Sequence, residues 1–292
     1  MGEWLGVILA VVSSAVGGSA AAVTRYLVGG ADPFALGIIR FGLGFLCVLP
    51  VALLMRARWP SRRDWPGVVG LGLLFYGFAM IVYNVAIGYT TAARASLALS
   101  TLPLQTMLVG ALLGIEPLTR RKTTGVVVAM AGVAAALSTG LAHAPPGAWR
   151  GELLMLGTAL CMAFYNVWSR PFIERSSAFG FLAVGMGAGA VALVAAGAVA
   201  GSFADLHSVI VNDWFATLYL GMGGGAVAFI LWILALQRTS PTRVAITMTV
   251  NPLAAALLAA ALVAEPVTLN FLSGLAVVGV GIWLAATTSR KR

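Results

Sequence analysis

Apolar residues run through this chain in long blocks, not in the alternation of a half-buried strand or the single stripe of a surface helix. Read from one polar interruption to the next, ten blocks emerge, near residues 4–24, 34–55, 65–88, 92–114, 122–140, 151–172, 178–200, 213–236, 242–264 and 269–288. A helix rises about 1.5 Å per residue and a bilayer's hydrocarbon core is about 30 Å thick, so about 20 such residues suffice to cross it. The pattern predicts an all-α membrane protein with ten transmembrane helices.

Composition agrees. Hydrophobic residues make up 60% of the 292 and charged residues only 9%, and the mean hydropathy is +0.98. A soluble domain carries about a quarter charged residues, and 18 basic plus 9 acidic side chains are too few to coat a core of this size. The lipid bilayer is therefore the first expected partner. The first block is expected to remain as a helix, because Met1-Gly2-Glu3-Trp4 lacks the basic start of a cleaved signal peptide. Cys47 and Cys161 fall inside predicted spans at no disulfide or metal spacing, and no metal or cofactor is expected.

A net charge of +9 would suit nucleic acid, but the positions of the charges say otherwise. With ten spans, one side collects Arg56, Arg58, Arg62, Arg63, Arg120, Arg121, Lys122, Arg170, Arg175, Arg238, Arg243, Arg290, Lys291 and Arg292, and the other only Arg25, Arg94 and Arg150. Short basic loops stay in the cytoplasm. The expected location is a bacterial-type inner (plasma) membrane with both termini cytoplasmic and no nucleic-acid partner.

Self-similarity adds the most. An offset of 149 residues carries Glu3 onto Glu152, Asp64-Trp65 onto Asp213-Trp214, Arg94 onto Arg243, Pro103 onto Pro252, and Glu116-Pro117 onto Glu265-Pro266. Thr119, Gly125 and Gly132 fall on Thr268, Gly274 and Gly281. A chain rich in Ala, Gly and Leu matches itself by chance, but not at Trp, Asp, Arg and Glu-Pro. The duplication divides the chain into a five-helix repeat at 1–144, an outer linker at 145–150, and a second repeat at 151–292 with a basic tail. Five is odd, so the second copy enters the membrane from the opposite side: the repeats are inverted, an arrangement common in secondary transporters with a midplane site between repeats.

The blocks from Arg94 to Val133 and from Arg243 to Ile282 resemble the EamA-type repeat of the drug/metabolite transporter superfamily. The shared pattern is an Arg opening the fourth helix, a mid-helix Pro, a Glu-Pro closing it, a Thr two residues later, and a glycine-punctuated fifth helix. The resemblance covers essentially the whole chain. It implies a transporter of small molecules, with the YddG type of amino-acid exporter the most similar kind, and leaves exporters of cationic drugs or other metabolites as the alternative.

Candidate chemistry gathers near mid-bilayer. Pro103 and Pro252 each free a backbone carbonyl one turn earlier, with Ser100 beside the first and Thr249 and Asn251 beside the second. Those carbonyls either meet substrate or are re-satisfied by the hydroxyls. Tyr76, Met80, Tyr83 and Asn84 share one face of the third span at i, i+4, i+7 and i+8. Phe229 and Trp232 answer them in the eighth span, and Tyr165, Asn166 and Trp168 in the sixth. Rings with few polar tips suit a small amphipathic solute; interfacial anchoring and core packing are the plain alternatives.

Arg40 is the one charge well inside a span, suited to a substrate carboxylate, to carbonyls of a broken helix, or to snorkelling outward. Inversion suggests two gating pairs, Arg94 with Glu265 and Arg243 with Glu116. The glycines at 180–201 and 221–225 are expected to pack helices closely. A membrane-embedded enzyme is disfavoured, since no HExxH or Gly-x-Ser-x-Gly motif occurs and both histidines fall in predicted loops. The oligomer is expected to be a monomer or homodimer.

Overall fold

A computed structural model describes residues 2–27, 32–90, 92–136, 138, 146–263 and 269–287. Helix accounts for nearly all of them: α1 (Gly2–Leu27), α2 (Pro33–Leu54), α3 (Trp65–Tyr89), α4 (Ala92–Leu99), α5 (Leu102–Leu112), α6 (Arg120–Ala136), α7 (Ala148–Arg175), α8 (Ala178–Ala200), α9 (Phe203–Asn212), α10 (Trp214–Arg238), α11 (Pro241–Ile246), α12 (Asn251–Val263) and α13 (Leu269–Ala286). Among the described residues, five apolar stretches are long enough to cross a membrane: Gly2–Thr24, Pro33–Leu54, Trp65–Tyr89, Ala178–Ala200 and Trp214–Arg238. α7 has the length, 28 residues, but carries Arg150, Glu152, Arg170, Glu174 and Arg175 near its ends.

Helix bounds repeat at the sequence offset. α3 and α10 coincide at 149 residues, as do the starts of α6 and α13. The fourth block breaks at Ser100 and Thr101, and its counterpart passes through a 3₁₀ turn at Thr247–Val250, just before Pro252. Proline lacks the N–H that would continue the ladder. Hydroxyls take up carbonyls there: Thr101 Oγ1 donates to Ala98 O at 2.7 Å, Thr247 Oγ1 to Val244 O at 2.7 Å, and Thr249 Oγ1 to Ile246 O at 2.6 Å.

Among the described residues, three helices carry π-helical turns that no periodicity signalled: Ile38–Leu43 in α2, Leu73–Ala79 in α3 and Tyr219–Val227 in α10. The loop expected after the seventh span holds α9, an amphipathic helix that buries Val209 and leaves Ile210 and Val211 exposed. Local signals start other helices: Asp32 accepts from Phe34 N at 2.6 Å and Ala35 N at 3.2 Å to cap α2, and Ser177 accepts from Gly180 N at 3.1 Å to cap α8.

Packing between the halves comes in mates. α1 lies on α10 and α12, as α7 lies on α3 and α5; α3 lies on α8, as α10 lies on α2. α6 and α13 pack antiparallel. A Cβ on Gly125 would come within 2.7 Å of Gly281 O, and one on Gly132 within 2.9 Å of Gly274 O, so neither position admits a side chain without the helices separating. The 149-residue offset exchanges those two contacts. The core between the halves is aromatic, built on Phe41, Phe75, Tyr76, Tyr165 and Phe229.

Candidate functional site

A cavity of about 580 Å³, counting its open mouth, lies between the halves. α1 lines it with Ser13, Ser14 and Gly17, α2 with Arg40, α3 with Phe75, Met80 and Tyr83, α7 with Met162, α10 with Phe229 and Trp232, and the broken span with Met248 and Asn251. The wall is aromatic and thioether-rich, and no carboxylate among the described residues lines it.

The π turns set this wall. One extra residue in a helical turn rotates every later side chain by about 100°, so in α3 Phe75 faces the cavity. Tyr76, expected on the same face as Tyr83, is wholly buried behind it, its hydroxyl 2.8 Å from that of Tyr165. Tyr165 also stacks on Phe75 with centroids 4.4 Å apart. Asn166 backs the wall too: its Oδ1 accepts from Trp232 Nε1 at 3.0 Å, while its Nδ2 is buried with no partner among the described residues.

Other expected site residues lie elsewhere. Trp168 is 44% exposed on the outer surface beside Phe164. Asn84 Nδ2 donates to Pro33 O at 2.9 Å, tying α3 to the start of α2. Ser100, Pro103 and Thr249 are buried at the helix breaks, with Pro252 beside Asn251 at the start of α12, and none of the four lines the cavity. The sequence reading missed Ser13, Ser14, Gly17, Phe75, Met162 and Met248, small or ordinary apolar residues that no motif marks.

Arg40 leaves the π turn of α2 toward the cavity. Its Nε donates to Gly224 O at 3.3 Å, and its guanidinium carbon lies 5.5 Å from the Phe41 ring centroid and 6.0 Å from that of Phe229. The glycine run in α10 makes this approach possible, since a Cβ on Gly225 would fall 2.0 Å from Arg40 O. Here the packing reading of those glycines fits.

The expected pairing of Arg243 with Glu116 is corrected, whereas that of Arg94 with Glu265 reaches outside the described residues. Arg243 pairs with Glu3 at 2.9 Å and donates through Nε to Ala285 O at 3.3 Å; Arg94 forms an ion pair with Glu152. Glu116 pairs instead with Lys122 and accepts from Thr242 N at 3.1 Å and Thr242 Oγ1 at 2.9 Å. The reason is local. The N–H groups of Ile115 and Glu116 both donate to Gly110 O, which turns the carboxylate back onto the free amides opening α11. Glu265 lies outside the described residues.

An apolar helical body with an aromatic-lined cavity between two similar halves is the architecture of a membrane carrier. The model of the EamA-like transporter family matches the chain twice, at residues 4–138 and 149–287, and the chain belongs to that family. It is similar to an uncharacterized transporter of Archaeoglobus fulgidus, 22% identical over 94% of this chain and 95% of that one. It is also similar to a probable terminal-alkyne amino-acid exporter of Streptantibioticus cattleyicolor, 28% identical over 70% and 69% of the two chains. One crystal structure shares the fold, with a TM-score of 0.75 at 20% identity over 97% of this chain and 96% of the other. The chain is a transporter, not an enzyme.

Proposed function

We propose that this chain exports small neutral amino acids, aromatic ones among them, by alternating access through the cavity between two inverted five-helix repeats. The observation that carries the reading is the cavity wall: Phe75, Phe229 and Trp232 offer apolar faces, the free polar tips are few, and the one charge among the described lining residues is positive. A carrier of cationic drugs would be served by carboxylates or by ring faces away from any cation, and here Arg40 lies beside the rings and repels a cation.

Inversion is supported by the antiparallel packing of α6 on α13, whose glycine contacts exchange at the repeat offset. Two like elements meeting antiparallel are related by an axis perpendicular to both, which lies in the membrane plane when they cross it. Charge supports the orientation: Arg120, Arg121, Lys122, Arg175 and Arg238 belong to the end that holds Glu3, read as cytoplasmic. The amino-acid reading also draws support from the name of the Streptantibioticus relative.

The test is counterflow in proteoliposomes containing the purified full chain. Labelled phenylalanine, leucine and methionine are each expected to accumulate against the unlabelled compound inside, and tetraphenylphosphonium is not. Accumulation of the cation alone would reverse the assignment.

A further inference from the structure

We infer that Arg40 and Tyr83 form an oxyanion subsite that takes the carboxylate of the transported solute, with the solute's apolar body lying against Phe75, Phe229 and Trp232. The inference rests on the exporter reading and deepens it, because it names the group by which the cavity orients its ligand.

Three observations lead there. Among the described residues no carboxylate lines the cavity with Arg40, and the acids that do pair take other partners: Glu3 takes Arg243, Glu116 takes Lys122, Glu152 takes Arg94 and Asp64 takes Arg175. Only Nε of Arg40 is spent, on Gly224 O; neither Nη donates to a protein atom among the described residues. Tyr83 lines the same cavity as Arg40, and its hydroxyl also has no hydrogen-bond partner among the described residues.

A buried guanidinium ordinarily meets an anion inside the protein, because desolvating it unpaired is costly. Here the fold holds a half-buried charge in place and, among the described residues, supplies no counter-ion. Gly225 lets the α10 backbone press on Arg40 O, the π turn aims the side chain, and the Phe41 and Phe229 rings flank it. Two free Nη groups and one phenol are donors in a mostly apolar pocket, a set that a carboxylate satisfies with charge-assisted hydrogen bonds. The hydroxyls nearest this wall are already committed, Ser13 to Ala228 O at 2.6 Å and Ser14 to Thr247 Oγ1 at 3.0 Å.

Binding can be read without assuming transport, by thermal-shift titration of the purified full chain with 3-phenylpropionate, which has the carboxylate alone, and with 2-phenylethylamine and phenylalaninamide, which lack it. The expected result is that 3-phenylpropionate binds wild type about tenfold or more tightly than either amine. Arg40→Gln is expected to lose that preference, with Arg40→Lys intermediate. Amines binding as well as the acid would overturn the subsite, and wild type alone decides this even where a variant fails to fold. A folded Arg40→Gln protein that keeps its affinity for the acid within about twofold would overturn it as well. Arg40-dependent binding of the acid together with no amino-acid counterflow would leave the subsite standing and reject the amino-acid reading, whereas counterflow that is indifferent to Arg40 would do the reverse.

Discussion

Arg243 reaches from α11 to Glu3 on α1 at 2.9 Å, and stepping each residue by the 149-residue offset gives Arg94 and Glu152, which also pair. Each bridge ties one half of the chain to the other. The two are mates under exchange of the halves, as are the glycine contacts of α6 and α13.

The members of the first bridge are not equivalent. Arg243 is buried and also holds Ala285 O, whereas Glu3 is 60% exposed at its side chain. Glu3→Gln is expected to cost under about 1 kcal/mol. Arg243→Ala is expected to cost about 1–3 kcal/mol, because it strands a buried carbonyl. Thermal unfolding of the purified variants checks this; equal losses would assign the effect to the ion pair alone.

Topology gives an independent check. If the halves are inverted, a single cysteine replacing Arg62 reacts with a membrane-impermeant maleimide only from the cytoplasm, and one replacing Asp213 only from outside. Labelling of both from the same side would refute the inversion.

The two tryptophans expected in the site are predicted to behave differently. Trp232→Phe keeps the ring but leaves Asn166 Oδ1 without its donor, so it is expected to cost about 1–3 kcal/mol in stability and to lower transport. Trp168→Phe touches only an exposed ring and is expected to leave counterflow unchanged. Loss of transport in the second variant would draw Trp168 back toward the pathway.

That contrast marks how far the sequence could be read. Hydropathy locates the helices because burial in lipid demands unbroken apolar runs, and the offset is visible because Trp, Asp, Arg and Glu-Pro seldom coincide. Met80, Tyr83, Phe229, Trp232, Asn251 and Arg40 were legible as polar or bulky groups in such runs, and all line the cavity. Tyr76 was placed there by a 3.6-residue count, which fails once the π turn at Leu73–Ala79 adds a residue and brings Phe75 forward. Ser13, Ser14 and Gly17 were illegible for another reason: small residues mark close helix packing and cavity walls alike. The partners of Arg243 and Glu116 were chosen by depth alone, whereas the backbone turn at Gly110 and the start of α1 decide them.

Transport is expected to proceed without a carboxylate protonated in mid-membrane. A proton relay places an acid along the pathway, where burial lifts its pKa toward neutrality. No carboxylate among the described residues lines the cavity, and the acids with displaced titration move the other way. At Asp64 a hydrogen bond from Arg175 holds the carboxyl below its usual 3.8. At Glu116 burial pushes upward, but Lys122 and Thr242 hold it below its usual 4.5. A depressed folded pKa stabilises fully above the usual value and is lost as pH falls through the lower folded one. Thermal stability should therefore decline below about pH 4, less steeply in Glu116→Gln. Between pH 6 and 8, about the physiological range, neither group changes charge, so counterflow without an ion gradient should run at a nearly constant rate. The contrary outcome is concentrative uptake that needs an imposed pH gradient and disappears when a single acid is neutralised.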